Sequence, residues 1–313
     1  MSAAIDGIGI ISGILGIIGF FQDNIPSNPA PQGATIQVKA GLGDDSSNSL
    51  GGEIAHIYGF DVNNNYLGES GSGSMGDGGV VELVIDQTVP GVQSDYISVE
   101  NTIGATCIAW ISVVQFDGAP GSGGSWTGDI GYNCGQNWYY GNQIAGTLPD
   151  DGGDYRPYCS WLDADHTNDI KSASMKIHLR AYGEEAEDTI ANNKACSSTI
   201  FSADAGPIND QPAKRSNKAR KQWMQDKLIM SASANQTAEH LCSHPNSWGP
   251  DFIGTDGMFC DMEAKVLTPL CSTEVIDGCI EVDATALTVL KRSSVAKRSV
   301  AAIHREYKRI EQW

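Results

Sequence analysis

Between residues 34 and 182 the apolar positions of this chain fall in nine short runs, at 34–40, 53–60, 80–85, 96–99, 106–114, 126–130, 138–140, 158–162 and 174–182. Turn formers separate them, and runs of this length with such boundaries predict strands rather than helices. Alternation is cleanest in Ile36-Gln37-Val38-Lys39 and in Met175-Lys176-Ile177-His178-Leu179, where one face is expected in the core and the other in water. Asn63-Asn64-Asn65 and Asp117-Gly118 lie between runs and read as hairpin turns. The pattern predicts a mainly β fold, with a β-sandwich or jelly-roll-like domain over residues 33–183.

The flanks read differently. Residues 1–23 hold a run of fifteen uncharged residues, 7–21, in which Ile alternates irregularly with five glycines. It is expected to be a short apolar N-terminal helix with Gly9, Gly13 and Gly16 on one face, the arrangement that lets helices approach closely. Glycine weakens an isolated helix by about 1 kcal/mol per residue, so the segment needs a cover. Membrane insertion, self-association and an atypical targeting signal all remain open: the run is short of the ~20 residues of a span, and Asp6 stands where a signal peptide carries a basic residue. Residues 24–32, with three prolines, form a linker.

Beyond residue 183 the strand pattern stops. Residues 184–240 are expected to be a linker and a basic helix over 211–230, with Trp223, Met224, Lys227 and Leu228 on one face. Residues 241–283 form a cystine-rich module. Residues 284–313, with seven Lys and Arg against two Glu, complete a partly helical C-terminal extension as a basic C-terminal helix.

Composition sharpens this picture. Thirty-six glycines and only 19% charged residues suit many tight turns. The net charge of −18 is concentrated in residues 1–183, which carry 5 Lys and Arg against 20 Asp and Glu. Such a surface repels phosphate backbones, so nucleic acid is excluded as a partner. Eight cysteines, Cys107, Cys134, Cys159, Cys196, Cys242, Cys260, Cys271 and Cys279, form an even set without a CxxC pair, which points to disulfides. Eight cysteines allow about 105 connectivities; Cys134 with Cys159 and Cys242 with Cys260 are the short-loop candidates. Asn235-Gln236-Thr237 is a glycosylation sequon. Together these place the chain outside the cell or on its surface.

Candidate chemistry is sparse. Asp163 and Asp165, in an Asp-Ala-Asp-His-Thr-Asn-Asp turn, present oxygens in the way calcium prefers, although Asn168 stands where an EF-hand has Gly and Ser174 where it has Glu. Calcium is the cation such a turn would take, and no cofactor is expected. His240 and His244 with Cys242 and Cys260 form a zinc-like set that disulfide formation would consume. Trp138, Tyr139 and Tyr140 could offer a stacking platform for a glycan. A Gly-x-Ser-x-Gly elbow and an HExxH motif are both missing from the sequence. Dibasic pairs at Lys214-Arg215, Lys291-Arg292 and Lys297-Arg298 are candidate processing sites.

The segment Cys242-Ser-His-Pro-Asn-Ser-Trp-Gly-Pro-Asp-Phe252, with Gly257-Met-Phe-Cys-Asp-Met262 and Pro269-Leu-Cys271, resembles the cysteine-rich C-terminal region of uncharacterised proteins of filamentous ascomycete fungi. The resemblance extends to Cys107-Ile-Ala-Trp-Ile-Ser112, Trp126-Thr-Gly-Asp129, Trp138-Tyr-Tyr140 and Cys159-Ser-Trp-Leu-Asp163. It implies a fungal, exported protein and carries no activity or catalytic residues. The expected function is that of a non-enzymatic extracellular or cell-surface protein for binding or self-assembly. A homo-oligomer is expected, with a membrane surface or a glycan as the other candidate partners. The alternatives are a membrane-active or pore-forming defence protein and a secreted hydrolase.

Overall fold

The computed structural model describes residues 33–43, 50–117, 123–147, 153–167, 169–208, 222–293 and 300–313. They fall into two compact units, Met1–Lys218 and Ala219–Trp313. Both are mainly β, and each of the four disulfides closes within one unit.

The N-terminal unit contains, in chain order, β1 (Thr35–Ala40), β2 (Gly52–Phe60), β3 (Tyr66–Glu69), β4 (Gly73–Met75), β5 (Val80–Val84), β6 (Asp86–Gln87), β7 (Tyr96–Asn101), β8 (Thr106–Val114) and β9 (Gly124–Thr127). These are followed by the short helix α1 (Gly128–Asn133), β10 (Trp138–Tyr139), β11 (Gly146–Thr147), β12 (Asp154–Tyr155), β13 (Cys159–Leu162) and β14 (Ser174–His178). Helices α2 (Ala186–Ala191) and α3 (Ala195–Ser198) lead to β15 (Thr199–Ser202). One sheet runs β10-β13-β8-β1-β5 with β9 also on β8, and a second runs β15-β14-β7-β2-β3-β6 with β4 also on β2. Both sheets feed one apolar core: Ile36, Val38, Ile108, Ile111 and Trp126 from the first meet Ile54, Ile57, Ile97, Val99, Met175 and Ile177 from the second.

Pairing is antiparallel throughout this unit. The Asn63-Asn64-Asn65 turn joins β2 to β3, with Asn64 left-handed (φ 64°) and Asp61 Oδ1 accepting the Asn63 and Asn65 amides at 2.8 Å each. The unit does not end at residue 183. β15 pairs with β14, and Cys196 is bonded to Cys134.

Two expectations of solvated faces are corrected. Lys39 and Lys176 are both buried. Lys39 donates to the Gly78 carbonyl, and Lys176 lies 3.9 Å from the Phe60 ring centroid and donates to Asn64 Oδ1, so their ammonium groups are satisfied inside the fold rather than by water.

The C-terminal unit contains α4 (Gln222–Gln225), β16 (Lys227–Met230), α5 (Ala238–Ser243), β17 (Asp251–Ile253), β18 (Met258–Asp261), β19 (Val266–Pro269), β20 (Ile280–Asp283), β21 (Thr288–Ser293), β22 (Val300–Glu306) and β23 (Arg309–Gln312). A five-stranded sheet runs β19-β18-β17-β16-β23, with β16 parallel to both neighbours, and β20-β21-β22 form a second sheet. Its core includes Leu228, Ile253, Phe259, Ile280, Val289 and Tyr307, and Met224, Ile229, Leu241 and Phe252 are buried as well.

The expected basic helices are overturned here. Of 211–230, only Gln222–Gln225 is helical among the described residues, and Lys227–Met230 is an inner strand of the sheet. The tail forms β21, β22 and β23 instead of a helix. Thr288, Val289, Ile303 and Ile310 are β-branched, and pairing of β22 along β21 outweighs the helix propensity of the Ala-rich segment. The expected helix at residues 1–23, with Gly9, Gly13 and Gly16, lies outside the described residues.

Candidate functional site

A groove of about 540 Å³ opens where three segments of the N-terminal unit converge. Gly51, Gly52 and Glu53 come from the start of β2, Ser74, Met75 and Gly76 from β4, and Thr102, Ile103 and Gly104 from the turn between β7 and β8. Register holds the walls together: Gly52 faces Met75, Glu53 faces Ser74, and the Thr102 amide donates to the Glu53 carbonyl at 3.2 Å. Asp77 Oδ1 accepts the Gly51 amide at 3.0 Å.

Close approach dictates two of the glycines. A Cβ on Gly51 would stand 2.4 Å from the Met75 carbonyl oxygen, and one on Gly52 would stand 2.0 Å from Thr106 Oγ1. At Gly104 nothing lies within 4 Å of the corresponding point. Among the described residues Glu53 is the one ionisable side chain lining the groove, beside the hydroxyls of Ser74 and Thr102 and the apolar Met75 and Ile103, the latter 74% exposed. These groups can hydrogen-bond a ligand and attract a cation, but they include no nucleophile–base pair.

The buried carboxylates serve the framework. Asp129, in the first turn of α1, accepts the Tyr155 hydroxyl at 2.6 Å, Thr127 Oγ1 at 3.3 Å and the Tyr158 amide at 3.4 Å. Burial pushes its carboxyl up to about 6 against the pull of those donors, and burial beside Asp129 also raises the Tyr155 phenol. In the C-terminal unit the fully buried Asp251 accepts Arg305 Nη1 at 2.7 Å, the Tyr307 hydroxyl at 2.8 Å and the Met262 amide at 2.9 Å. Arg305 also meets Asp261 at 3.5 Å and Glu263 at 3.0 Å. Burial alone raises the Asp261 carboxyl. The Ala264 and Glu263 amides and the charges of Arg305 and His304 outweigh it and hold the group below the usual carboxylate range. The network ties β17, β18 and β22 together.

The residues singled out from sequence do not converge on the groove. Trp138, Tyr139 and Tyr140 are each 0% exposed, so they offer no solvent-facing stacking platform. Trp138 stacks on Tyr158 with centroids 4.7 Å apart and meets Tyr132 and Tyr140 edge-on at 4.8 and 5.4 Å, an aromatic core in place of a glycan surface. Asp163 is fully buried and accepts Thr167 Oγ1 at 3.3 Å, while Asp165 Oδ1 caps the Thr167 amide at 3.0 Å. Both carboxylates organise the turn, and no group of three His, Cys, Asp or Glu side chains suited to a metal occurs among the described residues. His240 and His244 have ring centroids 6.4 Å apart, with Cys242 already bonded to Cys260.

All eight cysteines are paired, as Cys107–Cys159, Cys134–Cys196, Cys242–Cys260 and Cys271–Cys279. Cys242–Cys260 was expected, whereas Cys134 reaches past Cys159 to α3, because Cys159 lies on β13 beside Cys107 on β8. Asn235 is exposed in a turn ahead of α5. None of the described helices is long and apolar enough to cross a membrane. Sequence reasoning missed the groove because three separated glycine segments carry no shared motif. It missed Asp251 and Arg305 because a lone Asp after Pro250 and one Arg among seven tail cations look like solvated charges. No protein-family model, curated protein or solved structure matches the chain.

Proposed function

We propose that the chain is an exported, non-enzymatic extracellular or cell-surface protein that works by binding and self-assembly, its N-terminal unit a β-sandwich with the glycine-walled groove as its binding surface. The observation that carries this reading is the pairing of all eight cysteines within their own units, a cysteine usage that belongs to oxidising compartments. The occupied state of the buried carboxylates supports a framework role for them rather than acid–base catalysis. Likeness of the 242–271 segment to exported fungal proteins points the same way. The groove suits a neutral or cationic ligand with an apolar edge, since Glu53 and the surrounding acidic unit repel anions. Self-assembly is assigned to residues 7–21, whose apolar run is unfavourable to leave in water.

Sedimentation of the intact, detergent-free chain beside one lacking residues 1–23 tests the reading. An oligomer that the deletion converts to monomer supports it. A monomeric intact chain overturns the self-assembly, and leakage of liposomes or turnover in a glycan or peptide substrate screen overturns the non-enzymatic binding role.

A further inference from the structure

We infer that Asn235 is an N-glycosylation site, an inference that rests on the exported reading above. The sequon Asn235-Gln236-Thr237 occupies the connection between β16 and α5. Every neighbour of Asn235 is committed to the fold. Gln236 is 4% exposed, with its amide donating to the Ser233 carbonyl at 2.9 Å and its Oε1 accepting Ser231 Oγ at 2.6 Å. Thr237 caps α5 by accepting the His240 amide at 3.2 Å. The Ala234 carbonyl accepts Thr255 Oγ1 at 3.4 Å, and the Gln236 carbonyl accepts the Thr255 amide at 3.3 Å. Asn235 is exposed, and its side chain makes no hydrogen bond among the described residues.

The turn therefore presents one uncommitted carboxamide on an anchored loop, in a chain whose cysteines are all oxidised. A glycan there displaces no packing and breaks no hydrogen bond. The donor is a lipid-linked oligosaccharide pyrophosphate. The bond from sugar C1 to the pyrophosphate oxygen breaks, C1 bonds to Asn235 Nδ2, the amide loses one proton, and the lipid pyrophosphate leaves.

The test expresses the full chain behind a secretory leader in a eukaryotic host and measures thiol state and intact mass before and after peptide N-glycosidase. The expected result is an oxidised protein whose mass drops on treatment, with the drop abolished by Asn235→Gln and kept by Thr237→Ser, which retains the hydroxyl of the sequon and of the cap. An oxidised protein bearing unmodified Asn235 overturns this inference and leaves the exported reading standing. A protein with free thiols and no glycan overturns both.

Discussion

The N-terminal unit buries one apolar cluster drawn from two sheets, including Trp126, Tyr182 and more than a dozen aliphatic side chains, and its bridges close long loops, of 52 and 62 residues in sequence separation. One apolar cluster of the C-terminal unit joins Leu228, Ile253, Phe259, Ile280, Val289 and Tyr307, its bridges span 18 and 8 residues, and an Arg305-centred ion network crosses three of its strands. The comparison teaches where each unit finds its stability. The first combines a large core with two bridges that close long loops. The second buries fewer apolar side chains among the described residues and adds short-loop bridges and an ion network, as expected where the surface buried on folding is limited.

The largest expected difference follows from removing the covalent help. Loop-closure arguments assign about 3 kcal/mol to an 18-residue loop and about 2.5 kcal/mol to an 8-residue one, together comparable with the whole stability of a small domain. Replacing Cys242, Cys260, Cys271 and Cys279 by Ala should abolish slow amide exchange in β16 and β18 while β2 and β7 stay protected. Equal loss of protection in both units would break the comparison.

Next comes the ion network. Asp251→Ala leaves Arg305, with 21% of its side chain exposed, without its closest carboxylate, and breaking a buried pair from one side costs about 3–5 kcal/mol. Chemical denaturation should show this loss in the C-terminal unit alone. Asp251→Asn, which keeps an acceptor for the Tyr307 hydroxyl, should lose less.

Acid acts on one buried carboxylate of each unit with opposite sign. The folded-state pKa of Asp129 is raised to about 6 from an unfolded value near 4. Its contribution is therefore fully present below pH ~4 and lost as pH rises through 6, a swing of roughly 3 kcal/mol. Asp261 is lowered, so its contribution is present above the unfolded value and lost as pH falls through the folded one. Melting curves between pH 3 and 7 should show the N-terminal unit gaining on the C-terminal unit as pH falls. Asp129→Asn should flatten the N-terminal response.

Much of the N-terminal unit was legible because its strands keep their own faces: Ile36 and Val38, and Met175 and Ile177, reach the core as their alternation requires. The C-terminal unit was not. Leu228 and Ile229 are both 0% exposed in an inner strand flanked by parallel neighbours, and a strand buried on both sides loses the alternation that marks it. Trp138, Tyr139 and Tyr140 misled for a related reason, since aromatic residues among Gly and Asn look alike in sequence whether they line a site or fill a core. The groove depends on Gly51, Gly76 and Gly104 meeting across three segments, information that resides in strand register.

The smallest effects sharpen the groove itself. Gly52→Ala forces a methyl against Thr106 Oγ1 and should cost about 1–3 kcal/mol, whereas Gly104→Ala meets open space and should stay within about 0.5 kcal/mol. Similar costs at the two positions would show that the groove floor is not closely packed.

Everything above depends on two separately stapled units, and a disulfide map of the natively isolated protein tests this most directly. Peptide mass spectrometry under non-reducing conditions should recover Cys107–Cys159, Cys134–Cys196, Cys242–Cys260 and Cys271–Cys279, with no thiol titrating after denaturation. Four or more free thiols per chain, or a bridge joining a cysteine of residues 1–218 to one of residues 219–313, would contradict the account.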